Sequence, residues 1–342
     1  WCTVIGAALP WASVWTITPT IFETIFYGLL MLLWVLSANM ERFRKITRSG
    51  IIIGGLLLGL HFTWGLFFTK TSALSRVSYL DVGQGTSSLL EPADGHRILI
   101  DGGGNKNSRV NIGERIIAPY LWRQRIWRLD QAVITHPHRD HFNGMDFILA
   151  RFRPKQLFIN GDSRIEGNYQ EIIDLARDLG TAIILPEDGE KIVQQGDTDL
   201  TVVSGAVQAT QKGHGSVNDA SLVLRYRHGN SSFFFPGDIE KKKEAVLLAQ
   251  AYDLTADVLL APHHGSSTSS SPAFLDAVAP SLIIVSAGKS GKKYFPASKN
   301  LAAWKKRDTP VVVTRDQGTI RCDTDGERLR CLDFTDRPVY AR

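Results

Sequence analysis

Four short apolar runs in this chain each stop at a residue able to bind a metal. Arg97-Ile98-Leu99-Ile100 leads into Asp101-Gly102-Gly103-Gly104, and Gln131-Ala132-Val133-Ile134 leads into Thr135 and then His136-Pro137-His138-Arg139-Asp140-His141. Ser232-Phe233-Phe234-Phe235 leads into Gly237-Asp238, and Asp257-Val258-Leu259-Leu260 into His263-His264-Gly265. Runs of this length, β-branched or aromatic, read as buried strands, and amphipathic stretches alternate with them. A packed sheet cannot hold charged groups among its strands, so ligands at the ends of neighbouring strands gather at one rim. The pattern therefore points to an α/β fold with its chemistry at strand ends.

A lone histidine is ordinarily structural, and His61, His96 and His228 are read that way. Three histidines and an aspartate within six residues after a strand are instead read as metal ligands. Imidazole with carboxylate suits zinc, manganese or iron. The three cysteines, Cys2, Cys322 and Cys331, lie away from the histidines, which argues against a Cys-rich structural zinc site. In a two-metal hydrolase the ions stand about 3.5 to 4 Å apart and activate a bridging water. On that reading His136 and His138 hold one ion, Asp140 and His141 the other, and Asp238 bridges them. His263 or His264 completes the set, a choice the sequence leaves open. Asp101 is expected to orient a ligand histidine, and Asp140 to handle the proton of the attacking water as well.

Two apolar runs near the start, residues 21–38 and 51–69, are long enough to cross a bilayer, interrupted only by Glu23 and His61. Residues 1–15 are apolar too, but Pro10 leaves them open. Met40 to Ser49 carries four basic residues and reads as a short cytoplasmic turn, which places everything after Lys70 outside the cytoplasm. No small-residue cleavage site suggests a signal peptide. The net charge of +5 is concentrated near that turn and predicts no nucleic-acid partner by itself. Arg321 to Cys331 reads as a hairpin whose two-residue turn, Gly326-Glu327, sets Cys322 opposite Cys331. An extracytoplasmic location favours a disulfide there over two free thiols. The expected boundaries are membrane segments over 1–70, a hydrolase domain over 72–335 and a tail over 336–342. Beginning at Trp1, the chain is read as a piece of something longer.

The strand-end order of Asp, His-x-His-x-Asp-His, a later Asp and a later His resembles the metallo-β-lactamase superfamily over nearly all of the chain after residue 72. The resemblance implies a four-layer αββα fold preceded by transmembrane helices. More narrowly, Tyr79-Leu80-Asp81-Val82-Gly83-Gln84-Gly85, Ile134-Thr135-His136-Pro137, Val217 to Leu224, Pro236-Gly237-Asp238-Ile239 and Ala261-Pro262-His263-His264-Gly265-Ser266 resemble the C-terminal domain of the ComEC family, DNA-uptake channels of competent bacteria. That implies an inner-membrane, multi-pass protein whose extracytoplasmic domain is a nuclease for the non-transported DNA strand. It implies two divalent ions, zinc or manganese, and no nucleotide cofactor. DNA, the membrane and competence DNA-delivery proteins are the implied partners. The chain departs from the family pattern at Thr86, where the family often has Asp, and at Phe295, where it often has His. The superfamily's third-motif histidine is represented by Asn218 or by the nearby His214.

A DNA substrate needs basic residues near the rim. Lys289, Lys292 and Lys293, with Lys299, follow the apolar run Leu282 to Val285 and are the candidates. Lys305-Lys306-Arg307 and Lys241-Lys242-Lys243 are read as solvated, the latter on a packing helix over 240–251. Asp81 and Gln84 are read as shaping a glycine-rich turn. The competing readings are another extracytoplasmic phosphoester as substrate, or a catalytically silent DNA-binding gate. Hydrolysis of β-lactams is disfavoured.

Overall fold

The computed structural model describes residues 18–39, 44–67, 74–104, 110–162, 164, 167–206, 215–250, 252–288 and 295–342. It divides into two compact units, Trp1–Lys70 with Pro119–Trp127, and Thr71–Ala118 with Arg128–Arg342.

Among its described residues the first unit has two long helices, α1 (Ile21–Asn39) and α2 (Arg44–Phe67). Helix α1 starts with a reciprocal cap: the Glu23 N–H donates to Thr20 Oγ1 at 3.2 Å, and the Thr20 N–H donates to the Glu23 carboxylate at 2.5 Å. Glu23, the one acid in the apolar run, is almost fully covered and accepts both Arg125 guanidinium nitrogens at 2.8 and 2.9 Å, with His61 Nε2 at 3.0 Å. Gly54 lets the helices meet, because a Cβ there would come within 2.6 Å of Leu30 Cδ2. Among the described residues one helix is long and apolar enough to span a membrane, Ile21–Ala38, with mean hydropathy 1.9. The second expected span, 51–69, falls within α2 up to Phe67, and residues 68–69 lie outside the described residues. Arg44, Lys45 and Arg48, expected in a turn, belong to the first turns of α2. Arg and Lys favour helix, so the helix starts well before its apolar face does.

Among its described residues the second unit has sixteen strands in two sheets. In chain order they are β1 (Ser75–Tyr79), β2 (Ser88–Glu91), β3 (Ile98–Ile100), β4 (Gln131–Ile134), β5 (Gln156–Ile159), β6 (Ala182–Ile184), β7 (Lys191–Gln195) and β8 (Thr198–Ser204). There follow β9 (Val223–His228), β10 (Ser231–Phe235), β11 (Val258–Leu260), β12 (Leu282–Val285), β13 (Val311–Val313), β14 (Ile320–Thr324), β15 (Leu329–Leu332) and β16 (Pro338–Ala341). One sheet runs β16-β15-β14-β1-β2-β3-β4-β5-β6 and the other β13-β12-β11-β10-β9-β8-β7. Strands β3 to β6 are mutually parallel, as are β10 to β13.

Alternation along each strand fixes the layers. Val77, Ile98, Ile100 and Val133 from the first sheet interdigitate with Leu224, Tyr226, Phe233, Phe235, Leu260 and Ile284 from the second. The residues between them point outward: Phe234, Leu259 and Ile283 pack under α5 (Lys241–Ala249), α6 (Pro272–Val278) and α7 (Ser298–Lys306) through Leu247, Phe274 and Trp304. On the other outer face lie α3 (Met145–Phe152) and α4 (Tyr169–Asp178), which bury Ile148, Leu149, Ile172 and Ile173. The order is helix, sheet, sheet, helix.

Residues 336–342, expected as a tail, include β16, an edge strand whose Val339 and Tyr340 pack against the core. Its four residues are too few to show alternation, and its leading Pro338 is tolerated because the strand is at an edge. Cys322 and Cys331 are in register across β14 and β15 and are disulfide-bonded. The ladder ends at Thr324 and Leu329, one pair before the expected two-residue turn. The Asp325 carboxylate takes the N–H groups of Glu327 and Arg328 at 3.0 and 2.7 Å instead.

Candidate metal centre

The parallel strands of both sheets end on the same rim, and the polar residues predicted after them meet there. Asp101 follows β3 in a left-handed conformation (φ 62°) and is fully buried. Its Oδ1 accepts the Thr135 N–H at 2.8 Å, and its Oδ2 accepts the Thr135 hydroxyl at 3.0 Å and His141 Nδ1 at 2.7 Å. A carboxylate can only accept, so Nδ1 carries the His141 proton and Nε2 presents a lone pair. His136 is also fully buried; its Nδ1 faces the Thr135 hydroxyl at 3.2 Å, and its Nε2 is 3.0 Å from His138 Nδ1. One helical turn, Arg139–Phe142, follows His138 and turns Asp140 and His141 inward.

From the other sheet, Asp238 follows β10 and places Oδ1 3.2 Å from His141 Nε2 and Oδ2 3.9 Å from His136 Nε2. After β11, His263 and His264 both adopt left-handed backbone, φ 49° and 55°. Such angles cost about 1–2 kcal/mol per non-glycine residue. The surrounding bonds hold them: the Ser266 N–H donates to His263 O at 2.8 Å, Ser269 Oγ to Pro262 O at 2.8 Å, and Asn300 Nδ2 to Ser266 O at 2.7 Å. The result separates the two histidines. His264 donates Nδ1–H to the Ser286 carbonyl at 2.9 Å and aims Nε2 at Asp140 Oδ2 (3.5 Å) and Asp238 Oδ2 (3.7 Å). His263 sits on the rim, with Nδ1 3.5 Å from Glu240 and Nε2 3.8 Å from Asp238. Phe295 lies beside both rings, at centroid distances of 6.3 and 5.9 Å.

One ligand atom from each of Asp140, His141, Asp238 and His264 falls within 4.8 Å of the others. Among the described residues the Nε2 atoms of His141 and His264 are buried without a hydrogen-bond partner. Lone pairs facing carboxylates repel them, so the cluster requires positive charge, from protons or from a cation. The titration behaviour has the same cause. Burial, the largest single influence, lowers His141 and His264, but Asp238 together with Asp101 for His141, and with Asp140 for His264, outweighs it, so both are raised. Burial would raise Asp238, yet His141, His264 and His136 hold it well below the carboxylate range. His136 is pushed down chiefly by burial and stays neutral, the form a metal needs. Two imidazoles and two carboxylates in this spacing fit a divalent ion.

Three supporting groups escaped the sequence reading. Thr135 ties Asp101 to His136 and His141, and it stood next to the histidine run. Ser286 supplies the carbonyl for His264 and donates its hydroxyl to Gly85 O at 2.7 Å. Gly85 itself approaches Asp140 so closely that a Cβ would lie 2.3 Å from the Asp140 carbonyl, and the Thr86 N–H donates to that carbonyl at 3.1 Å. The glycine-rich turn containing Asp81 and Gln84 is thus a wedge beneath the ligand loop. His61, His96 and His228 stay outside the centre, beside Glu23, Asp94 and Thr198. Lys289, Lys292, Lys293 and His214 lie outside the described residues.

A family model described as the Metallo-beta-lactamase superfamily matches residues 80–288. ComE operon protein 3 of Bacillus subtilis is 29% identical over 282 residues, covering 79% of this chain and 36% of that protein. Recombination protein 2 of Haemophilus influenzae is 28% identical over 295 residues, covering 84% and 34%. Competence protein ComA of Neisseria gonorrhoeae is 30% identical over 221 residues, covering 64% and 28%. The chain spans about a third of the length of these curated relatives. With the layered fold and the strand-end ligands, these matches establish that the chain belongs to the metallo-beta-lactamase superfamily, and its relatives are consistent with the ComEC family of competence proteins.

Proposed function

We propose that this chain is the part of a DNA-uptake channel protein that carries a two-metal phosphodiesterase on the extracytoplasmic face of the membrane, where it degrades the strand that is not transported. The observation that carries the reading is the convergence of Asp140, His141, Asp238 and His264 beside the His136–His138 pair, in a chain related to a competence protein. Asp238 lies between the two groups of imidazoles and is the candidate bridging ligand. His136 and His138 would hold one ion; Asp140, His141 and His264 would hold the other. His264 is favoured over His263 because its Nδ1 is already spent on Ser286 O. When bound, two divalent ions lower the pKa of a water and neutralise phosphate charge during in-line attack. Asp140, kept ionised by His264 and His141 despite its burial, is the candidate acceptor of the water's proton. Lys289, Lys292 and Lys293 are the proposed phosphate track.

The disulfide and the basic first turns of α2 support the extracytoplasmic placement. The test is a nuclease assay on the purified chain with manganese or zinc and single- or double-stranded DNA. Cleavage is expected, and His138→Ala and Asp238→Asn should each abolish it. Metal-loaded protein that leaves both DNA forms intact would overturn the reading, and cleavage of other phosphoesters alone would transfer it to a different substrate.

A further inference from the structure

We infer that the side-chain amide oxygen of Asn218 completes the ligand set of the His136–His138 ion, in place of a third imidazole. The inference rests on the two-metal reading. Asn218 Oδ1 is buried and has no hydrogen-bond partner among the described residues. A buried acceptor left unmade costs about 1–3 kcal/mol, and native proteins keep few of them except where an ion or water supplies the partner.

The placement of Asn218 is fixed by its neighbours. It opens the tight turn Asn218–Ala220, whose end is stitched to both sides of the centre. The Leu222 N–H donates to the carbonyl of Thr135, the residue preceding His136, at 2.9 Å. The Ser221 hydroxyl donates to Asn218 O at 2.7 Å and accepts the Asp238 N–H at 3.1 Å. A Cβ on Gly237 would lie 2.7 Å from Ser221 Cβ and 3.3 Å from Thr135 Cβ, so both side chains pack close against Gly237. The adjacent Asp219 turns its Oδ1 to the Glu240 N–H at 2.8 Å. On this turn Asn218 Oδ1 is a buried side-chain oxygen that no group among the described residues uses.

An amide oxygen is a harder ligand than imidazole. It shifts a site away from zinc and towards ions such as manganese, which accept carbonyl and carboxylate oxygen. The second group, with Asp140, His141, Asp238 and His264, keeps two imidazoles and two carboxylates. The two positions should therefore differ in metal preference.

The test is a titration of the full, metal-stripped chain with manganese and with zinc against a chromophoric chelator, with bound metal counted by elemental analysis. The wild-type chain is expected to bind two ions. Asn218→Ala should keep one and bind the other at least tenfold more weakly. Asn218→His should keep two and raise the preference for zinc over manganese at one of them at least tenfold, a gain that a misfolded variant cannot produce. Two ions in Asn218→Ala at unchanged affinity would overturn the inference while leaving the two-metal reading intact. Loss of an ion in His214→Ala but not in Asn218→Ala would overturn it in favour of His214. Fewer than two ions in the wild-type chain would overturn the two-metal reading itself.

Discussion

Replacing Asp101 with Asn tests how the protein sets the tautomer of a proposed ligand. The carboxylate uses both oxygens: Oδ1 accepts the Thr135 N–H, while Oδ2 accepts the Thr135 hydroxyl and His141 Nδ1. An amide offers one oxygen. If that oxygen stays under the Thr135 N–H, the new NH2 faces His141 Nδ1 and forces its proton onto Nε2, the nitrogen 3.2 Å from Asp238. A protonated Nε2 cannot bind a cation. If the amide turns the other way, the buried Thr135 N–H loses its acceptor, which costs about 1–3 kcal/mol of folding stability. Groups that orient a metal-bound histidine are typically worth about 10- to 100-fold in metal affinity, or roughly 1.4–2.8 kcal/mol. Asp101→Asn should therefore weaken one bound ion by that factor in a chelator-competition titration, with the metal-free chain little changed or destabilised within the range above. A variant that binds both ions within twofold of wild type, with the same urea midpoint, would refute the assignment of Asp101 as the group that orients His141.

Two further predictions concern the C-terminal strands. The Cys322–Cys331 bridge closes a loop with a sequence separation of 9, and chain entropy assigns such a loop about 2.7 kcal/mol. The Cys322→Ser, Cys331→Ser double variant should unfold at correspondingly lower urea, and an unchanged midpoint would contradict that assignment. Asp333 is held down to about 2 from its ordinary 3.8 by the Thr335 hydroxyl, with burial opposing and the Arg337 and Thr335 N–H groups adding to the effect. A depressed carboxyl contributes stability that is present above 3.8 and lost as pH falls through about 2. Asp333→Asn should thus be less stable than wild type at pH 5, with the gap closing on acidification; a gap independent of pH would rule out the linkage.

The layered fold and the rim were legible because their signals are local. Each of the four strands announced itself by composition and ended at its polar residue, and the histidine run left little room for another reading. What the sequence left open depends on distant contacts. The choice between His263 and His264 is set by left-handed backbone angles held by Asn300 and Ser269, and by a carbonyl from Ser286. The helix expected over 240–251 to pack by an apolar stripe buries Glu244, whose carboxylate takes the N–H groups of Ser270 and Ser271 at 2.5 and 2.8 Å, a role that no spacing rule reveals. Strand β16 was hidden by its brevity, and the early start of α2 by a basic cluster that suggested a turn.

The two sheets contribute unequal halves of the centre: Asp101, His136, His138, Asp140 and His141 follow strands of the nine-stranded sheet, while Asp238 and His264 follow strands of the seven-stranded one. A nascent chain that has completed only its earlier strands owns two acids and three imidazoles but lacks the residues that draw them into one cluster. Competence to hold the full ion set therefore arrives late, with the docking of one sheet on the other. Once there, an ion spanning both sheets acts as a rivet, adding its binding free energy to their adhesion. On the proposed function, maturation and activation would be one event, and a half-made molecule would stay inert.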